Sequence, residues 1–106
     1  MSLVGTYVSS EINSTLVVET ADVSNGQGSG KITIDGITIP VRIHYHYENN
    51  VGPITDLWFA GSIDDPNQFV GGAGRTDNSD FASIKIAGGY PTKTDVNTFE
   101  GNYVRQ

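Results

Sequence analysis

Cysteine is absent from this chain of 106 residues, and with it go disulfides, zinc–thiolate sites and cysteine nucleophiles. Basic residues are scarce: six Lys and Arg stand against twelve Asp and Glu, a formal net charge of −6. Such a chain is repelled on average by phosphate backbones and anionic membranes, and no Lys/Arg cluster reverses this. Nucleic acid and membranes are therefore not its expected partners. No apolar run approaches the roughly 18 residues of a membrane-spanning helix. A signal-peptide pattern is also missing; Met1-Ser2-Leu3 leads directly into strand-like sequence, as if an upstream segment had been removed. The compartment stays open, because a secreted domain without disulfides is compatible with this composition.

A sustained period of 3.6 is lacking as well. Short β-branched and aromatic runs recur instead, separated by Gly, Asn, Asp and Pro, which predicts an all-β domain. The length allows one core, so residues 1–106 form a single domain. Eight strands are expected, at about 3–9, 13–21, 29–34, 37–47, 54–63, 68–75, 81–88 and 97–105. The sharpest local signal is "KITIDGITIPV": Asp35-Gly36 between two Ile-Thr-Ile copies predicts a type I′ hairpin turn. In the strand that follows, Ile37, Ile39, Val41, Ile43, Tyr45 and Tyr47 share one face. Thr38, Pro40, Arg42, His44 and His46 share the other. Pro40 has no N–H to give, which predicts an edge or a bulge near it.

Two glycine-rich stretches, "NGQGSGK" (25–31) and "VGGAGR" (70–75), invite comparison with a phosphate-binding loop. Ile32 stands where Ser or Thr should follow Lys31, and no helix follows, so they read as a turn and as a bent or closely packed strand. Eight short strands suit an antiparallel up-and-down barrel, with a two-sheet sandwich as the alternative. "LVGTYV" and "FEGNYV" at the two ends are similar strands whose pairing would close such a barrel.

Several short motifs resemble the avidin and streptavidin family. They are Gly5-Thr6-Tyr7, then Ser14-Thr15-Leu16-Val17-Val18, then Gly28 and Gly30, and the Trp-bearing "TDLWFAGS" at 55–62. The resemblance covers about half the chain and implies an eight-stranded barrel of the avidin or lipocalin kind, with a tendency to self-associate. Residue by residue it carries over only Ser14 and Trp58 as ligand contacts. The family's pocket uses several tryptophans, whereas Trp58 is alone here, and the third-strand tyrosine has no counterpart in "GSGKITI". Biotin is accordingly not the expected ligand.

Candidate chemistry is thin. His44 and His46, two apart on a strand, point to one side and would need a carboxylate such as Asp56 to complete a zinc site. Arg42 on the same face opposes a cation, and the strand's alternation explains the spacing without a metal. No serine sits in a nucleophile elbow. Asp64-Asp65 and Asp77/Asp80 read as turn residues, and their spacing matches no EF-hand loop. Asn13-Ser14-Thr15 is a sequon, meaningful only in a eukaryotic secretory route. Trp58 shares a face with Asp56 and Ser62, opposite Leu57, Phe59 and Ile63; an amphipathic aromatic there suits a ligand platform or an interface.

The sequence thus points to a non-catalytic binding module without a cofactor, holding a small molecule, a carbohydrate or a protein partner through Trp58, Asp56, Ser62 and Ser14. A metal-dependent enzyme built on His44 and His46, and a structural or inhibitory module that pairs through its surface or with itself, remain the alternatives.

Overall fold

The computed structural model describes residues 2–48, 54–63, 68–77, 81–92 and 94–106, with the side chains of Tyr47, Glu48, Ile54 and Asp77 outside that description. Eight strands follow one another: β1 (Gly5–Ser9), β2 (Ser14–Asp22), β3 (Gln27–Ile34), β4 (Ile37–Glu48), β5 (Ile54–Ile63), β6 (Gln68–Asp77), β7 (Ser83–Pro91) and β8 (Val96–Arg105). Each pairs antiparallel with its successor, and β1 pairs with β8, so the sheet closes into an up-and-down barrel. The sandwich alternative is thereby set aside. Among the described residues there is no helix.

The alternation along each strand decides what fills the barrel. Ile39, Val41, Ile43 and Tyr45 of β4 are buried, with Ile37 packed against the core, while Thr38, Pro40, Arg42, His44 and His46 are exposed. Tyr47, expected on the buried face, lies outside the described side chains. Leu57 and Phe59 of β5 point inward in the same way, joined by Leu16, Ile32, Ile84, Ile86 and Tyr103 from other strands. Asp35 and Gly36 both have positive φ, 50° and 84°, as a type I′ turn requires. Pro40 pairs with Lys31 of β3, but the β4–β5 register begins only at Arg42↔Ala60. By the alternation of the ladder Pro40 turns its nitrogen away from β3, toward β5, where Gly61 lies so close over the Pro40 carbonyl that a methyl group would have no room. Pro40 therefore stands at the end of a ladder that β5 still covers, and not on the open edge expected for it.

The glycines of β6 and β7 make room for rings inside the barrel. A methyl group at Gly72 would lie 2.7 Å from the Phe59 ring and 2.8 Å from the Ala87 carbonyl oxygen. One at Gly88 would lie 2.7 Å from the Phe99 ring. The closely packed strand read from "VGGAGR" is thus explained by Phe59 lying over it.

The closing seam is short. β1 meets β8 in register at Tyr7↔Arg105, Val8↔Val104 and Ser9↔Tyr103, and the Gln106 N–H donates to the Thr6 carbonyl beyond them at 2.9 Å. Arg105 strengthens it by donating to the carbonyls of Ser2 and Val4 and to the Tyr7 hydroxyl, which itself donates to the Leu3 carbonyl. Beyond Ser9 the β1–β2 turn takes over alongside β8. Ser9 Oγ accepts from the N–H groups of Glu11 and Ile12, and Glu11 Oε1 then accepts the Asn102 N–H at 2.8 Å. At the far end, Tyr90 of β7 donates to Asp35 in the β3–β4 turn at 2.9 Å.

Candidate binding groove on the outer wall

The pleat that sends Leu57 and Phe59 into the core sends Asp56, Trp58, Ala60 and Ser62 of β5 outward. Cross-strand register then builds two rows on the outer wall. One runs His44, Trp58, Ala73, Ala87, Glu100; the other runs His46, Asp56, Arg75, Lys85, Asn102. Between the large side chains at the two sides of these rows the wall sinks into a groove of about 740 Å³.

Ala73 and Ala87, with the backbone of Gly74 and Ile86, form its floor. Trp58 and Asp56 stand on one side, and Glu100, Asn102 and Glu11 on the other, with Arg75 and Lys85 at one end of the floor. Trp58 is half exposed, at 50%. His44, its partner across the β4–β5 pair, stacks on it with centroids 5.6 Å apart and planes 11° from parallel. The imidazole backs one face of the indole. On the opposite side stands Ala73, which rises only a methyl group, so that face opens on the groove.

Asp56 and Arg75 form a two-pronged ion pair, Nε to Oδ1 at 2.6 Å and Nη2 to Oδ2 at 3.1 Å. This fork fixes both side chains in a plane beside the indole. The charges of the groove nearly cancel: Asp56 stands against Arg75 and Glu100 is balanced in sign by Lys85, while Glu11 accepts a backbone N–H and leaves one net negative charge. Its polar groups offer hydrogen bonds without a dominant net charge.

Away from the groove, two tyrosines and one carboxyl have shifted acidity. Burial pushes the Tyr7 phenol above its ordinary range against the opposing pull of Arg105, and burial does the same to Tyr103 against a hydrogen bond to Ser14. Two hydrogen bonds from Ser24 lower the carboxyl pKa of Asp22 in the β2–β3 turn.

Of the residues singled out in the sequence, Trp58 and Asp56 come together in the groove. Ser62 is on the same outer face but two positions beyond Ala60, outside it. Ser14 is on the other side of the wall: it is buried and accepts the Tyr103 hydroxyl at 2.7 Å. The two positions carried over from the avidin resemblance therefore do not face a common space. His44 and His46 point outward, and among the described residues no three His, Asp or Glu side chains gather as metal ligands. Asp64, Asp65 and Asp80 lie outside the described residues, as does the side chain of Asp77. The sequence reading missed Glu11, Lys85, Glu100 and Asn102. Only the register, which joins residues some 15 to 90 positions apart, brings them to Trp58.

No family model, no curated protein and no solved structure matches this chain.

Proposed function

We propose that this chain is a non-catalytic carbohydrate-binding module whose site is the outer groove beside Trp58, and that its ligands are neutral sugars. The observation that carries the reading is the indole itself: half exposed, backed by His44, and turned toward a groove edged with carboxylate, guanidinium and amide groups. A pyranose ring has one face of C–H groups and a rim of hydroxyls. It stacks its apolar face on an aromatic plane while its rim hydrogen-bonds to flanking polar side chains. Asp56, Arg75, Glu100 and Asn102 are such partners, and their near-balanced charge favours an uncharged ligand over an acidic one. The floor of Ala73 and Ala87 leaves the space a ring needs.

The avidin resemblance contributes the barrel plan to this reading and not the ligand. Among the described residues, eighteen buried apolar side chains occupy the interior, which favours the outer wall as the place where a ligand is met.

Trp58 is the single tryptophan, so its fluorescence reports on the groove directly. Titration with a panel of neutral mono- and oligosaccharides is expected to shift that emission saturably, with a matching rise in melting temperature. Trp58→Ala, followed by calorimetry, is expected to abolish binding while leaving the fold intact. Binding that survives Trp58→Ala, or a panel that leaves the emission untouched, overturns the proposal.

A further inference from the structure

We infer that the sugar site continues along the outer wall from Trp58 to a second aromatic subsite at Phe69, so that the preferred ligand is a linear oligosaccharide. This inference rests on the carbohydrate reading of the Trp58 groove and adds the length of the ligand to it.

Among the described Trp, Phe and Tyr side chains, Trp58 and Phe69 are the two that stand well exposed, at 50% and 55%. Both belong to the outer face of the β5–β6 pair: Trp58 opposite Ala73, and Phe69 opposite Ser62. Between these rows lies the row of Ala60, Gly71 and Gly89. The rings are four residues apart along the strands, about 13 Å, and offset by one strand, about 5 Å. Nothing larger than a methyl group rises from β5 or β6 between them.

The clearance at Gly71 has no internal cause. A methyl group built there meets nothing closer than the Phe59 carbonyl oxygen at 3.7 Å, an ordinary contact. Its neighbour Gly72, facing inward, is held to glycine by the Phe59 ring and the Ala87 carbonyl. Packing thus accounts for Gly72 and leaves Gly71 unexplained, while a ligand lying along the wall accounts for Gly71. Val96, exposed at 60% near the start of β8, adds apolar surface at the Phe69 end. Exposed apolar groups gathered on one face, in line with a groove, mark a contact surface more than scattered exposed side chains do.

A linear sugar chain fits this layout. Successive rings repeat an apolar face and a hydroxyl rim, so one ring stacks on Trp58 within the Asp56–Arg75 and Glu100–Asn102 edges. The chain crosses Gly71, and a later ring meets Phe69 beside the Ser62 hydroxyl. Ser62, left outside the groove, finds its place here.

The test is a length series of linear glucose and N-acetylglucosamine oligomers, from the disaccharide to the hexasaccharide, titrated against Trp58 emission. In the wild-type chain affinity is expected to climb with length and then level off once the oligomer reaches Phe69. Phe69→Ala is expected to weaken the longest oligomers about tenfold and to leave the disaccharide unchanged. Gly71→Val, a bulk placed where the fold has room, is expected to give the same split. Phe69→Ala binding every length as the wild type does, or a wild-type affinity flat with length, overturns the second subsite while the Trp58 site stands. Emission unmoved by any member of the series overturns the carbohydrate reading and this inference together. A thermal melt of each variant separates lost binding from lost fold, and Phe69→Ala decides the matter alone if Gly71→Val unfolds.

Discussion

The outer wall of β2–β4 and the outer wall of β5–β8 are built by the same pleat and left in opposite conditions. On the first, cross-strand hydroxyls close on one another: Thr33 with Thr38 at 2.9 Å and Thr20 with Ser29 at 2.7 Å. Lys31, Pro40 and Arg42 fill positions between them. On the second, the corresponding positions are Ala60, Gly71, Ala73, Ala87 and Gly89, with single large side chains left standing. The first wall satisfies itself and meets water. The second has been cleared, and its polar groups, the cross-strand Asp56–Arg75 pair among them, are set around the clearing. A barrel whose interior is packed can still hold a site, provided one stretch of its wall is kept low.

The widest contrast lies between neighbours on β5. Phe59→Ala removes a fully inward ring that Gly72 was shaped to admit, and its cavity is expected to cost about 3–5 kcal/mol. Trp58→Ala, one residue earlier and outward, is expected to change stability by no more than about 0.5 kcal/mol while removing sugar binding. Urea melts of the two variants side by side measure the difference. Equal losses would mean that Trp58 holds the wall rather than serving it.

Gly71 and Gly72 repeat the comparison on a smaller scale. Gly72→Ala drives a methyl group into the Phe59 ring and the Ala87 carbonyl, and such overpacking is expected to cost about 1–3 kcal/mol. Gly71→Ala meets only an ordinary contact, the Phe59 carbonyl at 3.7 Å, and is expected to be neutral or to stabilise, by about 0.4–1 kcal/mol, because alanine narrows the unfolded ensemble. Thermal melts that rank the two the other way round would place the free face of β6 inside the barrel.

The inner wall has a pH signature of its own. Tyr7 and Tyr103 have phenol pKa values raised by burial, so the folded state favours their neutral form. Their contribution is fully present below the ordinary phenol value of 10.0 and is lost as pH rises through the higher folded values. Stability is therefore expected to fall in the alkaline range. The phenolate absorbance of the folded chain should develop later than that of the urea-unfolded chain. Tyr7→Phe and Tyr103→Phe should each reduce the alkaline loss; a loss unchanged in both would assign it to other groups.

Most of the fold was legible because alternation is a local property. The face of β4 followed from Ile37 to Tyr45, the hairpin from Asp35-Gly36, and the closure from two similar end strands. The site was legible only in part, for a physical reason. Trp58 announced itself by its phase against Leu57 and Phe59, and Asp56 came with it. Ala73, Ala87 and Gly71 contribute by being small, and a small residue in a strand looks the same whether it makes room for a ring inside or for a ligand outside. Glu11 reaches the groove because Ser9 turns the chain and β1 stops short beside β8, a matter of strand length that no local motif encodes. Ser14 stands on the inner face against Tyr103, apart from Trp58, because a strand resemblance says which face a residue occupies only once the barrel's register is known.

The smallest stability effect is expected at Asp56, and it sharpens the contrast between the walls in chemical terms. The Asp56–Arg75 fork is a surface pair, with the Arg75 side chain 62% exposed, and such pairs are worth about 0–1 kcal/mol, less in salt. Asp56→Asn should therefore leave the melting temperature nearly unchanged. It keeps a hydrogen-bonding partner at the same place but removes the charge that balances Arg75, so the charged groups lining the groove go from one net negative charge to none. Neutral oligosaccharides should bind the variant about as well as the wild-type chain, while uronic-acid oligomers should gain affinity, and the gain should shrink as salt rises. The same change of charge at Glu19 of β2, made as Glu19→Gln on the self-satisfied side of the barrel, should alter neither ligand. If Asp56→Asn instead loses neutral sugars and gains no acidic ones, Asp56 is a direct ligand to the sugar rim and not a counterweight to Arg75.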